Sequence, residues 1–186
     1  MQTRRDFLLV AGSLVAAPLA LSQDVKTPSL DVPYVPTVPE VVDMMLDMGK
    51  VSASDLLYDL GCGDGRIVIT AAKQRGARGV GIDIDPQRIE EARANAKAAG
   101  VESKTQFHVG DLFKSDFSKA TVVTLYLLPS INQRLRPQLW RQLKVGTRVV
   151  SHEFDMGMEW PAERIEMVGT RRVLSWTIKP EHKQAG

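Results

Sequence analysis

The 186-residue sequence predicts an α/β fold: a Rossmann-like, doubly wound sheet of seven mostly parallel strands, with a C-terminal antiparallel hairpin at one side. Three observations carry this expectation. From residue 37 onward, short apolar or β-branched runs alternate with segments of helical periodicity, the pattern of parallel strands joined by crossover helices. The first run, 56–60, passes directly into the glycine loop Gly61-Cys62-Gly63-Asp64-Gly65. The last two runs, 164–168 and 172–178, are separated only by a short turn at Gly169-Thr170.

The elements follow in order. Thr37-Val38-Pro39-Glu40 reads as a capping box with proline in the first turn. Val41, Val42, Met45, Leu46 and Met48 then recur at helical spacing as far as Gly49. After the strand at 56–60, a helix spans about 66–75 and ends at Gly76. The second strand is 79–83. Asp85-Pro86 opens an alanine-rich helix that Gly100 stops, and 105–109 is the third strand. The fourth strand, 121–126, is apolar or β-branched up to Tyr126. Ser130-x-x-Gln133 can cap a helix reaching about Leu143, which Pro137 is expected to split or kink. Residues 148–152 form the fifth strand.

The first 22 residues read as an address. Thr3-Arg4-Arg5-Asp6-Phe7-Leu8 is a twin-arginine pattern, followed by a short apolar run at 9–17 and a plausible cleavage site after Ala20-Leu21-Ser22. The expectation is a twin-arginine signal peptide handled by the twin-arginine translocon, with a periplasmic location. The alternative is an uncleaved leader that retains the protein as an N-terminal anchor. Residues 23–35, with Pro28 and Pro33, read as an extended lead-in, and 36–180 as one domain.

Composition narrows the function classes. A formal net charge of +2 gives no argument for nucleic acid or an anionic membrane as partner. The single cysteine, Cys62, excludes an intramolecular disulfide and a cysteine-based metal cluster. The three histidines, His108, His152 and His182, are scattered, so no metal site is expected.

The chemistry sits around the glycine loop. Glycines let the backbone approach a ligand closely, and Asp83 at the end of the second strand suits two ribose hydroxyls. A dinucleotide loop would place a pyrophosphate on the following helix, but Asp59 and Asp64 would repel it. Carboxylates favour a guest with positive charge. S-adenosylmethionine, with an ammonium and a sulfonium, is the better fit.

The order of elements, with Asp59-Leu60-Gly61-Cys62-Gly63-Asp64-Gly65 after the first strand, resembles the class I S-adenosylmethionine-dependent methyltransferases over about 34–178. The resemblance implies that Asp59, Gly61 and Gly63 line the methionine end of the cofactor and that Asp83 takes the ribose hydroxyls. It implies that Ile84 packs on the adenine, that Asp111 faces its amino group and that Leu112 lies against its ring. Tyr34-Val35-Pro36-Thr37, with Tyr58 through Val68, is similar to the mitochondrial lysine methyltransferases of the ATP synthase c-subunit and the adenine nucleotide translocase. In that group the aromatic-Val-Pro-Thr segment folds over the cofactor, making Tyr34 and Thr37 candidates for its methionine end.

The resemblance implies a methyltransferase acting on an amine-type acceptor, either a protein lysine or a small molecule. Enzymes that methylate amide or adenine nitrogens carry Asn/Asp-Pro-Pro-aromatic after the fourth strand. Here the sequence reads Leu125-Tyr126-Leu127-Leu128-Pro129-Ser130, which disfavours those substrates. Tyr126 is a candidate for the acceptor channel. His152 and Glu153, at the end of the fifth strand, are candidates to take a proton from the nucleophile, as is solvent. Two other readings stand beside this one: a cofactor-binding module that has lost catalysis and serves as sensor or scaffold, and a nicotinamide oxidoreductase.

Overall fold

The computed structural model describes residues 35–184. The leader, the lead-in through Tyr34 and the last two residues lie outside the described residues, so Tyr34 and the signal peptide receive no structural account.

The strands are β1 (Leu56–Leu60), β2 (Arg78–Asp83), β3 (Thr105–Val109), β4 (Val122–Leu125), β5 (Arg148–His152), β6 (Arg164–Val168) and β7 (Arg171–Thr177). They form one sheet of order β3-β2-β1-β4-β5-β7-β6. The first five run parallel, and β7 inserts antiparallel between β5 and β6. The chain winds from β1 outward through β2 to β3, then returns to β4 on the other side of β1. In such sheets the crevice at the carboxyl ends of the strands, where the order reverses, is the place for a ligand.

Among the described residues, four α-helices cover the sheet: α1 (Pro39–Met48), α2 (Arg66–Arg75), α3 (Pro86–Ala98) and α4 (Pro129–Gln142). The apolar stripes of the first three close one core, with Val41, Met45, Leu46, Val68, Ala71, Ile89 and Ala92 against Leu57, Val122 and Val150. On the opposite face α4 sets Leu135 and Leu139 against Leu60, Val123, Leu125 and Val149, and Trp160 and Trp176 extend that core toward β7. Trp160 is a packing residue of its loop, its carbonyl accepting from Trp176 Nε1 at 2.8 Å.

Three local expectations are corrected. The Thr37 capping box does not form: Val38 is the N-cap of α1, without a side-chain cap, because the Thr37 hydroxyl is engaged elsewhere. Ser130 does not cap α4 either, since the helix begins at Pro129 with Leu128 as its N-cap. Pro137 neither splits nor ends that helix, which runs unbroken to Gln142. The proline is exposed, while buried Leu135, Gln138 and Leu139 fasten the turns on either side of it. Asp85 is a true cap, accepting from the Gln87 amide at 2.8 Å.

Between β3 and β4 the chain crosses without an α-helix, and side chains of α4 hold the connection in shape. Gln138 Nε2 donates to the carbonyls of Leu112 (3.2 Å) and Ser115 (3.1 Å), and Gln142 Oε1 accepts from the Phe117 amide at 2.9 Å. Polar residues on a buried helix face here replace the missing backbone ladder.

Candidate active site

A cleft, partly open to solvent, lies over the carboxyl ends of β1, β2 and β4. Its floor is the loop after β1. Gly61 (φ +82°), Gly63 (φ +52°) and Gly65 (φ +80°) all take left-handed backbone conformations that a side chain would strain. A Cβ on Gly61 would fall 2.8 Å from Leu127 Cδ2, and one on Gly65 would fall 2.7 Å from the Phe107 ring. The loop is therefore pressed between the sheet and its neighbours, with its bare backbone turned to the cleft.

Carboxylates surround that backbone. Asp83 Oδ2 accepts from the Gly63 amide at 2.8 Å and Oδ1 from the Asp85 amide at 3.0 Å, so one side chain ties the glycine loop to the turn that starts α3. Asp59, 2% exposed, accepts from the Thr124 hydroxyl at 2.8 Å. Burial pushes its carboxyl up to about 7; the Thr124 bond opposes this, and the negative charges of Asp83 and Asp64 reinforce it. Asp64 is held by Arg66, with Nη2 to Oδ2 at 2.6 Å and Nε to Oδ1 at 2.9 Å. Asp64 also receives the Arg66 amide at 3.2 Å, in a turn just before the helix, rather than acting as the N-cap, which is Gly65. Cys62 is buried, its thiol raised far above the ordinary range chiefly by burial and the nearby carboxylates, which fits a small packing residue rather than a nucleophile.

The remaining walls come from three directions. Beyond β2 and β3 stand Ile84, Asp111, Leu112 and Phe113, all on the cleft. Asp111 shapes its own loop by accepting from the Phe113 amide at 2.9 Å, and the Arg134 guanidinium covers the Phe113 ring at 3.6 Å. Beyond β4 stand Tyr126 and Leu127, with Ile131 from α4. Across the top runs the segment Val35-Pro36-Thr37. Arg66 Nη1 donates to the Thr37 carbonyl at 2.9 Å, and the Thr37 hydroxyl shares a 3.1 Å hydrogen bond with His152 Nδ1.

Of the residues singled out from sequence, Thr37, Asp59, Gly61, Gly63, Asp83, Ile84, Asp111, Leu112 and Tyr126 all line this one cleft. His152 does not. Its ring, 2% exposed, packs behind Tyr126 with centroids 3.9 Å apart, and burial holds its imidazole down to about 4. A general base needs an edge on the reacting atoms, whereas His152 stands neutral behind the Tyr126 wall rather than on the cleft. Glu153 is likewise turned away, onto Arg172. Sequence reasoning missed Arg66, Phe113 and Ile131. The signal for Phe113 was an aromatic directly after Asp111-Leu112; Ile131 and Arg66 are ordinary helix residues until the fold places them.

The pocket meets the requirements of S-adenosylmethionine. It offers a glycine cradle open to the ligand, buried Asp59 for an ammonium, Asp83 on the β2 end and apolar faces at Ile84 and Leu112.

Comparison with known proteins agrees with this geometry. Residues 59–164 match the family model of the ANTKMT methyltransferase domain. The chain is 50% identical over 137 residues to a protein-lysine N-methyltransferase of Saccharolobus islandicus, covering 73% of this chain and 85% of that protein. It is 33% identical over 182 residues to the ATP synthase c-subunit lysine N-methyltransferase of Xenopus laevis, covering 94% and 79% respectively. Among solved structures it superposes with TM-score 0.77 on one from Salinibacter ruber, described as an RNA methyltransferase in complex with S-adenosyl-L-homocysteine. That structure is 57% identical, with 78% of this chain and 95% of that one covered.

Proposed function

The chain belongs to the family of the ANTKMT methyltransferase domain, enzymes dependent on S-adenosylmethionine, and from that premise we propose that it methylates the side-chain amine of a protein lysine. The observation that carries the proposal is the cleft itself. Carboxylates and a glycine cradle occupy its β1–β2 half, and an apolar, aromatic wall at Tyr126 and Ile131 occupies the other.

In this reading Asp59 and the backbone of Gly61 and Gly63 hold the amino-acid end of the cofactor, with Thr37 above them. Asp83 holds the ribose, and Ile84, Leu112 and Asp111 hold the adenine. Bound there, S-adenosylmethionine supplies an electrophilic methyl group on a sulfonium that departs as a neutral thioether. The chain's own part is alignment and exclusion of water. The 35–37 segment closes over the cleft, and Tyr126 walls the approach from β4. A lysine nucleophile must arrive neutral, and with His152 and Glu153 turned away its proton passes to solvent.

A second reading, an RNA acceptor, is suggested by the description of the Salinibacter ruber structure. Against it weigh the near-neutral net charge of +2 and the lysine methyltransferases among the relatives. The leader supports export through the twin-arginine translocon to the periplasm. Replacing Arg4 and Arg5 by lysine should then keep the protein in the cytoplasmic fraction.

The decisive experiment is calorimetric titration of S-adenosylmethionine, with NAD as control, into the native protein and Asp83→Ala. This is followed by transfer of labelled methyl groups to a lysine-bearing protein fraction and to total RNA. Binding of the first ligand alone, lost in Asp83→Ala, with label in protein, supports the proposal. Absence of binding sinks the enzyme assignment and leaves only the fold. Binding without label in either fraction points to a cofactor-binding module that has lost its catalysis, and label in RNA favours the second reading.

A further inference from the structure

Glu153 carries one of two positive φ values among non-glycine residues of the described chain, +68°. The Phe154 amide donates back to the His152 carbonyl at 2.9 Å, closing a three-residue turn centred on Glu153. This is the γ-turn of the rarer, strained hand. Such strain persists only where the surroundings over-determine it, and it clusters at functional sites.

Here one residue of β7 supplies the restraint. The Glu153 amide donates to the Arg172 carbonyl at 2.8 Å, and the Arg172 amide donates to Glu153 Oε2 at 3.1 Å. Arg172 Nη2 donates to the Glu153 carbonyl at 2.9 Å, and its Nε lies 3.5 Å from Oε1. Four contacts thus hold both the backbone and the side chain of the turn. From the other side, buried Asn132 of α4 donates through Nδ2 to the carbonyls of Phe154 (3.2 Å) and Asp155 (3.4 Å).

The two residues flanking the turn meet on one target. The His152 ring lies 3.9 Å from the Tyr126 ring, and the Phe154 ring lies 6.3 Å from it at an interplanar angle of 18°. Tyr126 is the cleft wall on the β4 side, opposite the strands that carry Asp83 and Asp111. We propose that Glu153 is a positioning residue for methyl transfer: its strained turn, clamped by Arg172, sets both His152 and Phe154 against Tyr126 and so fixes the wall along which the acceptor amine approaches. The catalytic part rests on the function proposed above; the contact with Tyr126 does not.

The test uses NMR of the full chain labelled in its tyrosine rings. There are three tyrosines, at 34, 58 and 126, and two flanking rings should shift the Tyr126 signals strongly. Glu153→Gly accepts the positive φ and keeps the backbone contacts to Arg172, whereas Glu153→Val, β-branched, resists it. Phe154→Leu removes one ring without touching the turn. The expected result is a shifted Tyr126 signal retained in Glu153→Gly, reduced in Phe154→Leu and lost in Glu153→Val, with cofactor affinity within threefold of native in all three. Methyl transfer should fall at least tenfold in Glu153→Val and recover most of that loss in Glu153→Gly.

A native-like Tyr126 signal in Glu153→Val, or equal loss in the glycine and valine variants, would overturn the proposal. So would normal transfer by a variant whose Tyr126 signal has moved. Should Glu153→Val fail to fold, the glycine and leucine variants decide the matter: loss of the signal in Glu153→Gly, or no change in Phe154→Leu, is the overturning result. If the native protein binds no S-adenosylmethionine, the cofactor reading fails while the ring spectra still judge the turn.

Discussion

On the β1–β2–β3 side of the cleft, the contacts that shape it lie within and between the short loops at the ends of neighbouring strands. Asp83 receives the amides of Gly63 and Asp85, and Asp111 receives that of Phe113. On the β4–β5 side they join separately docked elements: Thr37 with His152, Tyr126 with His152 and Phe154, Glu153 with Arg172, Asn132 with Phe154. The first half is written into short loops whose geometry the backbone dictates. The second exists only once the hairpin, α4 and the chain before α1 have all docked. Such a division predicts that changes on the two sides will fail in different ways.

The largest effect should come from the glycine loop. Gly65→Ala combines a left-handed φ with a Cβ 2.7 Å from Phe107 and 2.9 Å from Ala92. Strain of about 1–2 kcal/mol and overpacking of about 1–3 kcal/mol should together remove roughly 2–5 kcal/mol of stability. Gly100→Ala is the control, since its φ is +71° but nothing lies within 4 Å of the added Cβ. It should cost only the strain. Denaturant unfolding of both variants separates the terms; equal losses would mean that the loop is not tightly packed after all.

Asp59 comes next. Its carboxyl, pushed up to about 7 by burial, is partly protonated near neutrality, and a ligand ammonium would favour the ionised form. Cofactor binding should therefore tighten as pH rises through 7 and release a proton at pH 6.5 but not at 8.5, read by calorimetry in buffers of different ionisation enthalpy. Asp59→Asn should weaken binding roughly ten- to hundredfold, by about 1.5–3 kcal/mol for a lost hydrogen bond to a charged group, and abolish the proton release. An unchanged proton count would remove Asp59 from the ammonium's side.

The same residue and His152 oppose each other in stability. Because the folded Asp59 keeps its proton up to about 7 against an ordinary 3.8, the unfolded state binds fewer protons between those values. Its contribution to stability therefore falls as pH rises through that window, by at most about 4 kcal/mol. His152 is held at about 4 against an ordinary 6.5, so there the unfolded state binds more protons. Its contribution is fully present above 6.5 and lost as pH falls toward 4, by at most about 3 kcal/mol. The two windows overlap and largely cancel. Asp59→Asn should expose the histidine: relative to native, the variant should gain stability steadily from pH 4 to 7. A difference curve flat with pH would show that the carboxylate is not desolvated.

These contrasts also explain what the sequence revealed. The alternation of apolar strands and periodic helices set out the fold, and Asp59, Gly61, Gly63, Asp83 and Asp111 were legible because each lies within a few residues of a strand end whose chemistry is local. His152 was legible as a residue near the site and illegible in its role. Only the docking of Thr37 and Tyr126 on either side shows that its ring faces the interior. Glu153 and Arg172 were an acid and a base on separate strands until β7 paired with β5. Pro137 misled because the tertiary contacts of Leu135, Gln138 and Leu139 outweigh a local helix breaker, and the Thr37 box misled because a buried histidine competed for the same hydroxyl.

The smallest effect sharpens the comparison most. The resemblance to the lysine methyltransferase group makes Thr37 a contact of the cofactor, yet its hydroxyl is turned to His152 Nδ1 and the residue is 3% exposed. If the hydroxyl serves the long-range half of the site, Thr37→Val should lower stability by about 1 kcal/mol, the net value of one hydrogen bond. It should also leave cofactor affinity within two- to threefold, because Arg66 still holds the Thr37 carbonyl over the cleft. Thr37→Ser should match the native protein in both. The reverse outcome, native stability with affinity down tenfold, would assign the hydroxyl to the cofactor. It would also mean that the segment before α1 belongs to the cofactor half of the cleft, leaving the β4–β5 wall without its link to that segment.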